Sequence, residues 1–304
     1  MVRKPPRGVK IGLVCLSVGR YNCSMDTSVR RPIVAGAFYP ANPDRLHASI
    51  ASFFEDGIPP SSDRPLNGPA GLIAPHAGYP YSGAVAAAGY AAIAEAGRPE
   101  TIVLLGANHT GLGGPVSISS HEAWETPIGR SPVSRAVIGR LADAGFAIAD
   151  DAFEREHSIE VQLPLIQTIW DPEIPIVPIC VMSAPWRTLR RDAEAIEDAT
   201  AGMPTLIVAS SDFTHYEPDA TARTLDRQAL EPILKMEIDA FEALYRDRRL
   251  SICGAGAIMM LLHLGRRRGI LRGNLLRYAT SADATGDRSA VVGYASVRFM
   301  MEAT

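Results

Sequence analysis

Three of the seven histidines follow directly on short apolar runs: His76 in Ala-Pro-His-Ala-Gly-Tyr, His109 in Gly-Ala-Asn-His-Thr-Gly and His215 in Ser-Ser-Asp-Phe-Thr-His-Tyr. Imidazole titrates near neutral pH and is the commonest metal ligand, so each is a candidate for acid–base or metal chemistry. A thiol stands in Ser251-Ile-Cys-Gly-Ala-Gly. Cys253 reads as part of the first turn of a helix opened by Ser251 or by Cys253 itself. There the positive end of the helix dipole would lower its pKa and favour the thiolate, the form that binds metal; a buried, inert cysteine is the alternative. Two imidazoles and one thiolate make a three-ligand site with positions left for water or substrate.

Further candidates lie in Glu156-His-Ser-Ile-Glu160. On a helical turn His157 and Glu160 share a face at i, i+3, and would act as an acid–base pair or support the ligands from behind. Helix N-terminal charge and capping is the competing reading. Asp212, three residues before His215, would orient that imidazole and raise its basicity. His47, His121 and His263 sit in ordinary helix or loop contexts and read as structural, and Cys15, Cys23 and Cys180 have no partner at a recognised spacing. Gly-Leu-Gly-Gly at 111–114 is a turn without phosphate-loop context, and no G-x-S-x-G elbow occurs.

Elements must bring these residues together. The apolar runs Gly71–Ala74, Thr101–Leu105, Ile174–Val181 and Thr205–Ala209 are short, largely branched and bounded by Gly, Pro or polar residues, as buried strands are. Amphipathic segments at about 82–96, 131–145, 186–202, 219–230 and 235–247 read as helices. Leu275–Ala279 and Ala290–Phe299 read as two more strands. Strands alternating with helices predict an α/β sandwich around a mainly parallel sheet. In such sheets ligands bind beyond the carboxyl ends of the strands, so three histidines placed there converge on one spot.

The 304 residues carry 30 Lys+Arg against 33 Asp+Glu and are 47% hydrophobic. The near-neutral balance argues against a nucleic-acid binder, and no apolar run is long enough to span a membrane. Only Lys4, Lys10 and Lys235 are lysines, a bias that a GC-rich genome explains. Sparse, unpaired cysteines fit reduced thiols in the cytoplasm. Residues 1–28 superficially resemble a signal peptide but lack a small-residue cleavage site, and read as an N-terminal extension with no folded role. Residues 29–304 then form one domain.

Together Arg31-Pro-Ile-Val-Ala-Gly-Ala-Phe-Tyr-Pro40, Ala74-Pro-His-Ala-Gly-Tyr79, Tyr81-Ser-Gly83 and Leu105-Gly-Ala-Asn-His109 resemble the Memo family. The likeness continues through Glu156–Pro164, Ser210–Tyr216, Cys253-Gly and Gly286–Ser296. That family is the B component of the AmmeMemoRadiSam system of bacteria and archaea, and is similar in fold to class III extradiol (LigB-type) dioxygenases. The resemblance implies His76, His109 and Cys253 as metal ligands, with Asp212 and His215 as further pocket residues. His215 then stands where the dioxygenases keep a catalytic histidine. Extradiol enzymes hold Fe(II) with two histidines and a carboxylate; a thiolate as third ligand is softer and moves preference toward Cu(I), Zn or a differently tuned iron.

These features imply a non-haem metal-dependent oxidoreductase of dioxygenase-like type, with Fe(II) as the first metal and Cu(I) or Zn as alternatives. His215, oriented by Asp212, would act as acid and base, and His157 and Glu160 would shape the pocket. A non-catalytic copper or iron carrier, or a peptide-binding module, is the second expectation. A hydrolase using zinc or a Cys253 thiolate is the third. The ligand would be a small molecule or peptide in a pocket at the sheet edge. Family association adds radical-SAM and AMMECR-type proteins as partners.

Overall fold

The computed structural model describes residues 28–54, 57–59, 64–182, 184–248 and 250–301. The extension predicted for residues 1–28, with Cys15 and Cys23, lies outside the described residues up to residue 27. The strands are β1 (Val29–Arg30), β2 (Ala70–Ala74), β3 (Thr101–Ala107), β4 (Val116–Ile118), β5 (Ala123–Thr126), β6 (Gly129–Pro132), β7 (Ala147–Ile148), β8 (Ile176–Val181), β9 (Thr205–Ser210), β10 (His215–Glu217), β11 (Gly273–Thr280) and β12 (Val291–Met300). The helices are α1 (Pro43–Ala51), α2 (Tyr79–Ala94), α3 (Arg135–Asp143), α4 (Leu163–Ile169), α5 (Trp186–Ala199), α6 (Asp219–Leu234), α7 (Ile238–Arg248), α8 (Ala255–Arg267) and α9 (Ala282–Thr285).

The four apolar runs become β2, β9, β3 and β8, adjacent in that order and mutually parallel. All residues of these strands are buried, because helices cover both faces. Alternation along β3 divides its side chains: Val103 and Leu105 face the layer of α3, α5 and α8, while Ile102 and Leu104 face α1, α2 and α4. Around this parallel centre the pairing changes sense. The long β12 runs antiparallel to β2 and β11, and β4 antiparallel to β8, so the sheet as a whole is mixed. β1, β5 and β6 form a separate three-stranded sheet.

Two glycines let loops reach the carboxyl ends of the central strands. A Cβ on Gly106 in β3 would meet Ile159 Cγ1 at 2.4 Å, so only glycine admits the 156–160 segment there. A Cβ on Gly254 would meet the Ser210 carbonyl oxygen at 2.5 Å, so glycine also lets the Cys253 loop close on β9. The starts of α2 at Tyr79 and α7 at Ile238 each lie three residues from the sequence expectation, and two other helix starts differ for a visible reason. Residues 129–132 pair with β5 as strand, so α3 begins only at Arg135. Gly254 caps α8, which leaves Cys253 in the loop before the helix.

Candidate metal centre

β2, β9 and β3 are neighbours, and Ala74 and Gly106 both lie in register with Ser210. Each strand therefore delivers its following loop to the same place. His76 and His109 stand two residues beyond their strands, with ring centroids 5.2 Å apart and planes at 81°. His157 arrives from the 156–160 segment, 5.4 Å from the His76 ring and stacked on His109 at 4.7 Å and 21°. One ligand atom from each of these three histidines lies within 4.8 Å of the others, so the cluster could hold a metal ion. Nearly parallel rings do not aim their lone pairs at one point. For His109 and His157 to share an ion, one of them must turn. Cys253 supplies a fourth donor, its Sγ 3.3 Å from His76 Nε2.

Hydrogen bonding fixes which ring nitrogen is free. Ser210 Oγ donates its single proton to the Ser158 carbonyl at 2.6 Å and accepts from Gln162 Nε2 at 2.8 Å. Its contact with His76 Nδ1 at 2.9 Å must then be a second acceptance, so Nδ1 carries the proton and Nε2 keeps its lone pair. His109 Nδ1 donates to Glu156 Oε1 at 2.9 Å, which frees its Nε2 likewise. His215 Nδ1 faces the Ser251 carbonyl at 2.7 Å and can only donate to it. Three imidazoles thus share one tautomer, the arrangement that metal-binding histidines adopt.

Glu156 is the residue that sequence reasoning passed over. It is buried, and one carboxylate oxygen accepts from the backbone of His157 and Ser158 and from the His109 ring, while the other accepts from His109 N–H. Burial alone would raise its pKa, but these bonds lower it to about 2. On His109 burial works downward, and the Glu156 carboxylate outweighs it to raise the pKa. His76 is held well below its ordinary range by burial and by its three histidine neighbours, so it is neutral and available as a donor. The signal for Glu156 was its place immediately before His157.

Asp212 is buried and binds the backbone N–H of His76 at 2.8 Å. Burial pushes it up to about 6 against the pull of the His76 backbone N–H. His215 takes its orientation from Ser251, through both the carbonyl and the hydroxyl, whereas the sequence reading gave that task to Asp212. Cys253 Sγ accepts the Asp212 N–H at 3.2 Å. Burial, and after it the Asp212 carboxylate, raise the metal-free thiol, opposite to the lowering expected from a helix dipole; Cys253 also stands in the loop before the helix rather than in its first turn. No hydrogen bond links Cys253 to His215 among the described residues.

Glu160 lies apart from this chemistry. Its carboxylate receives the Arg30 guanidinium, the N–H groups of Ile33 and Val34 and the Tyr39 hydroxyl. The segment it secures lays Phe38 against His157, with ring centroids 4.8 Å apart. Glu160 thus clasps the N-terminal segment over the site, where the sequence had paired it with His157. His47 and His121 stand outside the histidine cluster, and His263 packs on Trp186.

A family model described as Memo-like protein matches residues 30–298. The chain is 40% identical over 279 residues to a MEMO1 family protein of Methanopyrus kandleri, covering 89% of this chain and 98% of that one. It is 44% identical over 281 residues to a MEMO1 family protein of Desulfurococcus amylolyticus, with the same coverage of each. The crystal structure of an uncharacterized protein from Escherichia coli K12 aligns with a TM-score of 0.51 at 14% identity, over 76% of this chain and 99% of that one. At that identity the likeness concerns the fold.

Proposed function

The chain belongs to the Memo family, and from that premise we propose that it is a non-haem metal-dependent oxidoreductase whose centre lies at the carboxyl ends of β2, β9 and β3. The observation that supports this most is the shared tautomer: Ser210 and Glu156 hold the Nδ1 protons of His76 and His109 and leave both Nε2 atoms open to a metal. His76 and His109 would hold the ion, with Cys253 as third ligand and His157 beside it. Bound there, Fe(II) would supply a redox-active Lewis acid with open positions. The protein's own contribution is to hold His76 neutral in a buried floor, to fix the His109 ring through Glu156, and to seat His215 against Ser251 for proton transfer. His109 is partly exposed, which leaves a side for a small molecule or peptide to enter.

Elemental analysis of protein purified without oxygen tests this reading. The wild type should carry iron, and Cys253→Ala and His109→Ala should lose most of it; full metal in both variants defeats the ligand assignment.

The thiol beside His76 also supports a second reading, a non-catalytic carrier of Cu(I), the softer ion. Parallel titrations with Cu(I) and Fe(II) under reducing conditions separate the two. Far tighter copper binding, with no oxygen consumed on phenols or catechols, favours the carrier.

A further inference from the structure

A cavity of about 510 Å³ opens between α6 and β11, and none of the residues lining it belongs to the histidine centre. Its size falls within the range of small-molecule sites, roughly 300–1,000 Å³. The walls are mainly apolar, formed by Leu230, Leu234, Leu275 and the ring of Tyr278. Charges at the mouth are unevenly satisfied. Arg223 bonds Asp219 and Asp283, and Lys235 pairs with Glu231. Arg227 is exposed and has no hydrogen-bond or ion-pair partner among the described residues. The cavity therefore offers an apolar body and one uncommitted cation.

One wall of the cavity is also bonded to the loop that carries His215. The Tyr278 hydroxyl donates to Asp226 Oδ2 at 2.7 Å, and Asp226 Oδ1 accepts the Thr214 N–H at 2.9 Å. Thr214 immediately precedes His215, whose own N–H donates to Ser251 Oγ. Asp226 is completely buried in α6 and makes no contact with the histidine cluster that would explain it. The fold leaves space for its carboxylate: a Cβ on Gly293 would meet Asp226 Oδ2 at 1.9 Å. A buried carboxylate whose two oxygens join a cavity wall to a site loop is a physical route for coupling.

We propose that this cavity is a second ligand site, for an amphipathic medium-chain monocarboxylate. The chain lies along Leu230, Leu234 and Leu275 and the carboxylate meets Arg227. Occupancy shifts the Tyr278 ring, and the displacement reaches His215 through Asp226 and Thr214.

Decanoate titrated calorimetrically into full-length, metal-free protein is the test, with decyltrimethylammonium as the cationic control. One decanoate should bind per chain, the cation should not, and Arg227→Glu should weaken decanoate about tenfold or more. Arg227 is exposed, so this charge reversal leaves the core intact. Failure of decanoate to bind the wild type at millimolar concentration overturns the site, as does unchanged affinity in Arg227→Glu. The ring signal of His215 in histidine-labelled protein reads the coupling. It should move on saturation in the wild type and stay fixed in Tyr278→Phe, which keeps the binding. A His215 signal that stays fixed in the wild type overturns the coupling. Both measurements use metal-free protein, so their outcome is independent of the metal reading.

Discussion

At the scale of single residues, a histidine becomes a ready ligand when another group holds its second nitrogen. The strand-end positions of His76 and His109 are legible because apolar runs and the polar residues after them leave a mark in the sequence; His215, expected at a strand end too, instead opens β10 beyond the end of β9 and stands outside the cluster. The partners of His76 and His109 left almost no mark: Ser210 lies inside a strand, and Glu156 reaches His109 across 47 positions. Cys253 is marked by its glycine-flanked context, but the burial and the Asp212 carboxylate that raise its thiol come from the tertiary fold and leave no mark in the sequence. Glu156→Gln should lower metal affinity roughly 10–100-fold while Cys253 and all three histidines stay in place, measured by competition with a chelator. Acid should reveal the same residue in metal-free protein. Its folded pKa of about 2 lies below the ordinary 4.5, so the unfolded state binds the proton more readily. Its stabilising contribution is therefore complete above the ordinary value and is lost as pH falls toward about 2. Urea midpoints of wild type and Glu156→Gln should lie apart near neutral pH and converge in acid.

At the scale of elements, the central strands are readable as short continuous runs of branched apolar residues between breakers, and most of the helices by their amphipathic period. The pieces that escaped, β1, β4 to β7, β10, α1, α4 and α9, are short and owe their conformation to neighbours distant in the chain. β1 shows why: two residues pair with β5, and Arg30 then enters the interior to meet Glu160, stacking its guanidinium 4.5 Å over Trp124. Glu160 is fully buried and also satisfies two backbone N–H groups and the Tyr39 hydroxyl. Removing it strands a buried cation and several donors at once, so Glu160→Ala should cost about 3–5 kcal/mol of unfolding free energy. Arg30→Ala should cost a comparable amount by leaving the carboxylate. Equilibrium denaturation checks both. A loss under about 1 kcal/mol would mean that the clasp contributes little.

At the scale of the whole molecule, the centre is assembled from segments that have nothing in common along the chain. His76, His109, the 156–160 segment and Cys253 reach one place only because β2, β9 and β3 lie side by side and Gly106 and Gly254 permit close approach. The unfolded chain cannot hold these donors together, so a metal bound here stabilises the folded state by mass action. At a free concentration about 100 times Kd the gain is about 2.7 kcal/mol. For a chain of this size each kcal/mol raises Tm by roughly 2–4 °C, so Zn(II) or anaerobic Fe(II) should raise it by roughly 5–10 °C. Calorimetry of wild type beside a His76→Ala, His109→Ala double variant measures this. The variant should lose the shift and keep a cooperative transition. An equal shift in both would place the metal away from the strand ends. A shift that survives Cys253→Ala but not His157→Ala would make the third donor an imidazole, which requires the His109 and His157 rings to leave their parallel stack.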